Sequence, residues 1–251
     1  MQIRITINLD EPLTLPVNYN HIIQSIIYHA LNDYPEFADA VHNEGFSYAN
    51  RKYKTFTFSN LKGHYTISNK KIKFYDSLQF EIRSPFIPFI NVIGNHFADQ
   101  GIDFGGRHID TLNVDPLYVT LDDMAYYIKM ASPICAYSTD LETGWTNYYS
   151  PYDEEFYYQI SMAFSRKYCA FMDEVPPGGF TLIPDKIGRR DKVITDYKGT
   201  IIEAWMGEYM LKGDPECLTF LYDSGIGSRN PEGFGMFDVI DTLDSDYTLD
   251  E

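Results

Sequence analysis

Gly225-Ile226-Gly227-Ser228-Arg229-Asn230-Pro231-Glu232-Gly233-Phe234-Gly235-Met236-Phe237 carries two glycine pairs separated by a short polar insert. A helix-like run, Pro215 to Tyr222, precedes it, and Phe-Gly-Met-Phe-Asp-Val-Ile reads as a terminal strand. Glycine admits a left-handed backbone and the close approach of another chain. A polar loop of this kind can wrap a phosphate chain with its N–H groups. It is not a Walker loop, which needs Gly-Lys-Ser/Thr, nor a dinucleotide fingerprint, which runs strand, GxGxxG, helix. The alternative is a glycine-rich turn before a last strand.

Outward from this segment, both halves of the chain show the same coarse pattern. Gln2–Leu9 alternates as a strand, and Pro12–Pro16 reads as a loop. Asn18 is a plausible cap for a helix from Tyr19 to Asn32, with Ile22, Ile23, Ile26, Ile27, Ala30 and Leu31 on one face. A second short helix is expected over 35–41 and a polar loop over 45–51. Strands are expected at 53–59, 64–68, 71–75 and 78–84, with a turn at Asn69-Lys70, then a helix over 86–100 and a strand over 107–119. In the second half, strand 125–130, a polar loop over 138–153, helix 154–172, strands 180–184, 192–196 and 199–211, helix 215–223 and strand 235–240 follow. The class is α+β, and two units of the strand–helix–strand–strand–helix–strand type fit two tandem ferredoxin-like (βαββαβ, RRM-like) domains. The expected division is 1–122 and 123–241, followed by an acidic tail over 242–251.

At 251 residues, 44% apolar and 22% charged, the chain is long enough for a large core. No apolar run approaches the length of a membrane span, and the N-terminus lacks a signal-peptide core. Cys135, Cys169 and Cys217 are far apart and lack metal-ligand spacing, which fits reduced thiols in a cytoplasmic protein. The net charge of −16 argues against a nucleic-acid partner, and an acidic scaffold is one reading. The distribution argues the other way. Residues 51–73 hold Arg51, Lys52, Lys54, Lys62, Lys70, Lys71 and Lys73 without an acid, and Lys186, Arg189, Arg190 and Lys192 form a second cluster.

The glycine segment resembles the C-terminal motif of the RAMP superfamily, and within it the CRISPR-associated endoribonucleases that cut precursor CRISPR RNA within its repeats. The N-terminal half carries the same resemblance through Tyr19-Asn20-His21, Ile26-Ile27-Tyr28, Ala40-Val41-His42 and Lys54-Thr55-Phe56-Thr57-Phe58-Ser59. The resemblance spans the chain to about Ile240 and implies two ferredoxin-like domains with a cleft between their sheets. It also implies an active site of a helix tyrosine, a following histidine and a lysine before the Phe-Thr-Phe-Ser strand: Tyr28, His42 and Lys54 here.

That trio is chemically sufficient for RNA cleavage without a metal or other cofactor. Histidine suits proton transfer near neutrality, and lysine or tyrosine can stabilise the charge of a phosphorane. Alternatives stay open for each: His42 as a helix C-terminal cap, Tyr28 as a half-buried ring, and Lys52 in place of Lys54, because the loop over 43–53 is long for the family. His29 points about 100° away from Tyr28 around the helix. Arg51, Lys52, Arg189, Arg190, Gly225, Gly227, Ser228, Arg229, Asn230, Gly233 and Gly235 are candidate RNA contacts. The glycine segment could instead pack across the domain interface. Tyr148, Tyr149 and Tyr152 offer rings for stacking on bases. The expected partner is the repeat of precursor CRISPR RNA, with other CRISPR effector-complex proteins and a homodimer left open. A non-catalytic repeat-RNA-binding subunit of such a complex is the alternative function. No metal site, Ser-His-Asp motif or membrane partner is expected.

Overall fold

The computed structural model describes residues 1–32 and 46–242. In the first half these form β1 (Gln2–Asn8), β2 (Leu13–Pro16), α1 (Asn20–His29), β3 (Phe46–Tyr48), β4 (Arg51–Tyr53), β5 (Thr57–Phe58), β6 (Lys62–Ser68), β7 (Lys71–Arg83), α2 (Ile87–Gln100), β8 (Ile102–Phe104), β9 (Arg107–Ile109) and β10 (Leu112–Leu117). The second half contains β11 (Ala125–Met130), β12 (Tyr137–Thr139), β13 (Thr146–Tyr148), α3 (Glu154–Met172), β14 (Phe180–Lys186), β15 (Lys192–Tyr197), β16 (Thr200–Trp205), β17 (Glu208–Gly213), α4 (Pro215–Ser224) and β18 (Phe237–Thr242).

Each half builds an antiparallel sheet in which the first strand is central. In the first, β1 lies between β10 and β7: Ile5 faces Val114 on one side and Phe80 on the other. The 13-residue β7 pairs with β1 and β2 along one edge and with β5 and β6 along the other. In the second, the order is β14-β17-β11-β18. Both orders are that of a ferredoxin-like unit, so the chain folds as the two tandem units expected. The period-2 pattern of β1 puts Ile3, Ile5 and Ile7 into the core, where Ile23, Ile26 and Ile27 of α1 and Ile90, Ile93 and Phe97 of α2 meet them. The second core gathers Ile128, Phe156, Ile160, Phe164, Leu211, Leu218 and Leu221.

Several local expectations are corrected. Residues 12–16 are not a loop but contain β2, whose Leu13 and Leu15 alternate inward against β7. The run 199–211 is not one strand: Gly207, at φ 121°, turns the chain so that β16 pairs with β15 while β17 joins the second sheet. The stretch over 53–59 is not one strand: Tyr53 ends β4, Thr57–Phe58 form β5, and the residues between them are not strand. The polar loops at 45–51 and 138–153 each contain part of a hairpin, β3–β4 and β12–β13. Asn18 does not cap α1; Tyr19 occupies the cap position, and the Asn18 Oδ1 accepts from Thr195 Oγ1 at 3.0 Å. Helix α3, by contrast, spans the expected residues, with Glu154 and Glu155 in its first turn complementing the dipole. The helix expected over 35–41 and the acidic tail from 243 lie outside the described residues.

Two hairpins cross between the halves and fix the space between them. The β3–β4 hairpin packs on α3, with the Phe46 ring 4.7 Å from that of Phe171. In return, the β15–β16 hairpin reaches α1, where Tyr197 Oη donates to Gln24 Oε1.

Candidate nucleic-acid interface

Tyr28 leaves α1 on its less buried side and meets Lys54, in the segment between β4 and β5. The Lys54 ammonium donates to Tyr28 Oη at 3.0 Å and lies 4.9 Å from the ring centroid. The Phe56 ring meets Tyr28 edge-on at 6.0 Å, holding its orientation. Burial, and less strongly the Glu232 carboxylate, pushes the Tyr28 phenol well above its usual range. Tyr28 therefore keeps its proton at neutral pH and can donate it while accepting from Lys54. Burial, with the like charge of Lys198, lowers the Lys54 ammonium below the ordinary lysine value.

This pair lies in the wall of a cleft of about 440 Å³ between the halves. Arg51 and Lys52 on β4 line it, as do Arg166 and Lys167 on α3 and Ser228 and Arg229 from the glycine segment. Of the described residues that line the cleft, six are Lys or Arg and one, Glu232, is a carboxylate. The chain as a whole has 36 acids to 20 bases. The cleft therefore concentrates positive charge on a molecule that is elsewhere strongly acidic.

The glycine segment is a closed unit packed across the interface between the halves. Ile226 N donates to Gly235 O at 2.8 Å, Gly235 N to Pro133 O at 2.9 Å and Ser228 N to Cys135 O at 2.9 Å. From the first half, Asn20 Nδ2 donates to Glu232 O at 2.9 Å, Gln24 Nε2 to Pro231 O at 2.8 Å and Thr57 Oγ1 to Phe234 O at 2.9 Å. Gly233 has φ 87°, and a Cβ there would stand 2.3 Å from the Phe58 ring. A Cβ on Gly235 would be 2.0 Å from Ile226 O. Both glycines are required by the fold itself, as is Gly225, whose Cβ would lie 2.6 Å from Asn230 Nδ2.

Beneath the segment lies Lys167, which sequence reasoning did not single out. Its ammonium donates to Gly225 O at 2.5 Å, Asn230 Oδ1 at 2.8 Å and Ser224 O at 3.4 Å. Burial pulls this group down to about 7. A signal was present: Lys167 falls on the apolar stripe of Phe156, Ile160 and Phe164 along α3, a place for a cation only when it has partners.

The remaining candidates separate clearly. Asn230, expected as an RNA contact, is 2% exposed, and its amide donates to Ile226 O at 3.2 Å and Phe234 O at 3.0 Å, so it organises the loop from within. Arg229 faces the cleft, bound to Glu232 Oε2 at 2.9 Å and lying 5.0 Å over the Tyr137 ring. Arg189 and Arg190 are exposed on a single 3-10 turn and do not line the cleft. Of the basic run over 51–73, Lys62 is paired with Asp238 at 3.0 Å, while Lys70, Lys71 and Lys73 belong to the β6–β7 hairpin. His29 packs against His96, rings 5.9 Å apart, in a different hollow. Tyr149 bonds Ser138 at 2.7 Å within the loop, and Tyr152 bonds Ile187 O at 3.1 Å, tying the loop to the segment after β14. His42 lies outside the described residues. Among the described residues, no helix is long and apolar enough to cross a membrane.

Comparison with known proteins gives a consistent result. Residues 118–239 match the family model described as CRISPR associated protein Cas6, C-terminal. The CRISPR-associated endoribonuclease Cas6 1 of Methanocaldococcus jannaschii is 24% identical over 247 residues, covering 94% of this chain and 91% of its own. A solved structure of a CRISPR associated protein Cas6 superposes with a TM-score of 0.76 at 24% identity, covering 96% of this chain and 99% of its own. That of a Cas6-related gene product from Pyrococcus furiosus superposes at 0.79 and 21%, covering 96% and 98%. A RAMP protein described as binding different RNA substrates gives 0.78 and 22%, covering 96% and 100%. Residues 118–239 therefore match the Cas6 C-terminal domain, and the chain is similar over nearly its full length to a Cas6 endoribonuclease and shares its tandem fold with Cas6 and RAMP structures.

Proposed function

We propose that this protein is a metal-independent endoribonuclease that cuts precursor CRISPR RNA within its repeats, in the cytoplasm. The observation that carries this reading is the Lys54–Tyr28 hydrogen bond of 3.0 Å in the wall of the cationic cleft. Likeness to a relative named as an endoribonuclease supports it. The RNA lies between the two units, divided near residues 122 and 123, and is held by the cations that line the cleft. A ribose 2′-hydroxyl loses its proton to a base and attacks the adjacent phosphorus in line. The P–O5′ bond breaks, O5′ takes up a proton, and the products carry a 2′,3′-cyclic phosphate and a 5′-hydroxyl.

His42 is the general acid or base in this scheme, and its role rests on the family resemblance. Lys54 stabilises the charge that builds on the nonbridging oxygens. Tyr28, protonated and anchored by Lys54, donates to the phosphate or orients the 2′-hydroxyl. The contact with Tyr28 favours Lys54 over the exposed Lys52 for this part.

The test is cleavage of an end-labelled repeat RNA in excess EDTA by the native protein and by His42→Ala, alongside a substrate with one 2′-deoxy sugar at the cut. The native protein is expected to cut at one site, and neither the variant with normal RNA nor the native protein with the deoxy substrate should give product. Normal cutting of the deoxy substrate would sink the mechanism. Tight binding with no cutting by the native protein would make it a non-catalytic repeat-binding subunit.

A further inference from the structure

Helix α3 presents Ala163, Arg166 and Lys167 to the cleft, the i, i+3, i+4 spacing of one helix face. The two cations are used differently. Lys167 is turned under the glycine segment, with its three N–H groups on three oxygen acceptors. Arg166 is half-buried, and no hydrogen bond, ion pair or ring contact engages its guanidinium among the described residues. That is unexpected in a chain with 36 acids to 20 bases. The carboxylate that lines the same cleft, Glu232, is held by Arg229 at 2.9 Å. A partly desolvated guanidinium without an anion is costly, and an anion from a ligand removes that cost.

We propose that Arg166 is a phosphate-binding residue of the cleft, gripping a backbone phosphate of the RNA other than the one cleaved. The scissile phosphate belongs to Lys54 and Tyr28, whose hydrogen bond fixes them together. Arg166 enters the same cleft from the other half of the chain, on the helix against which the β3–β4 hairpin packs. Its planar fork of donors matches two phosphate oxygens at once, which a lysine cannot do. Arg51, exposed on β4 and likewise without a partner among the described residues, flanks the same path. Because Arg166 holds a phosphate that does not react, it binds ground state and transition state alike. Its loss raises KM and leaves kcat in place.

This inference rests on the RNA-cleavage reading, and the experiment separates the two. Binding of labelled repeat RNA is measured across a salt series for the native protein, Arg166→Gln, Arg166→Lys and Lys129→Ala, with kcat and KM for each. Lys129 is a surface lysine outside the cleft, paired with Glu208 at 3.1 Å. Arg166→Gln should weaken binding on the order of 10- to 100-fold and lower the slope of log K against log salt by roughly 0.7, the share of one single-strand phosphate contact. KM should rise with kcat unchanged. Arg166→Lys should keep the slope and lose part of the affinity, and Lys129→Ala should match the native protein. An unchanged slope in Arg166→Gln, a fall in kcat at constant KM, or native affinity in Arg166→Lys would overturn the assignment while leaving the nuclease reading intact. If the native protein shows no salt-sensitive binding of repeat RNA, the functional reading itself falls, and this assignment with it.

Discussion

Lys54 lies between a phenol that accepts its hydrogen bond and a like charge that repels it. Burial, and after it Lys198, lowers its proton affinity below that of a free lysine. A lysine that stabilises a phosphorane must be charged, so the reaction should lose rate as pH rises through this lowered value, earlier than for a solvated lysine. Removing Lys198 makes the charged form of Lys54 easier to hold, which raises its value. The expected result is an alkaline limb displaced to higher pH in Lys198→Ala, with the neutral-pH rate nearly unchanged. Lys54→Ala should cost on the order of 10²- to 10³-fold in rate across the profile. A pH–rate series in single-turnover conditions checks both, and an unmoved limb would assign it to another group. Tyr28 and Lys54 are candidates through the family resemblance carried by Ile26-Ile27-Tyr28 and Lys54-Thr55-Phe56-Thr57-Phe58-Ser59, and the fold brings the two side chains together. Lys198 was not legible in the sequence, because only the turn between β15 and β16 brings it near α1, where its ammonium lies 3.4 Å from Gln24 Oε1.

At the scale of elements, the glycine segment announced itself, but its first duty did not. Composition allowed two uses for its backbone, approach to RNA or packing across the interface. The packing is what the contacts show for Gly233, which lies against Phe58 of the other half. Gly233→Ala combines a left-handed backbone at φ 87° with a Cβ 2.3 Å from a ring that is 1% exposed. The expected cost is about 1–3 kcal/mol, read as a lower unfolding midpoint in urea with an unchanged slope. A midpoint equal to the native one would mean that the segment can move off Phe58 at no cost. The same limit applied to the strands. Helix α3 could be placed to the residue because a 3.6-residue period over five turns is hard to mistake. The division between β16 and β17 could not, because apolar residues run through both and the break falls at Met206-Gly207, where Gly207 takes a positive φ.

For the whole molecule, the two sheets were legible from the repeated order of elements, whereas the joint between them was not. Its centre is Arg83, 1% exposed at the end of β7, where the sequence suggests only a strand terminus. Its guanidinium donates to Phe237 O at 2.5 Å, Glu81 Oε2 at 2.7 Å and Asp238 Oδ1 at 2.9 Å, and lies 3.9 Å over the Tyr222 ring. Phe237, Asp238 and Tyr222 belong to the second half, so one side chain ties β7 to β18 and α4. Removing it leaves Glu81, 5% exposed, with the half-exposed Arg4 as its remaining ion-pair partner. Loss of one member of a buried ion pair is costly chiefly because the other charge stays behind. Arg83→Met should therefore cost about 3 kcal/mol, a fall of roughly 6–12 °C in Tm for a chain of this size. Neutralising the stranded carboxylate tests the cause. Glu81→Gln added to Arg83→Met should recover part of the lost Tm, although Glu81→Gln alone lowers it. A double variant as unstable as the sum of the two single changes would instead put the cost in the lost packing of Arg83 on Tyr222, with the charges independent of one another.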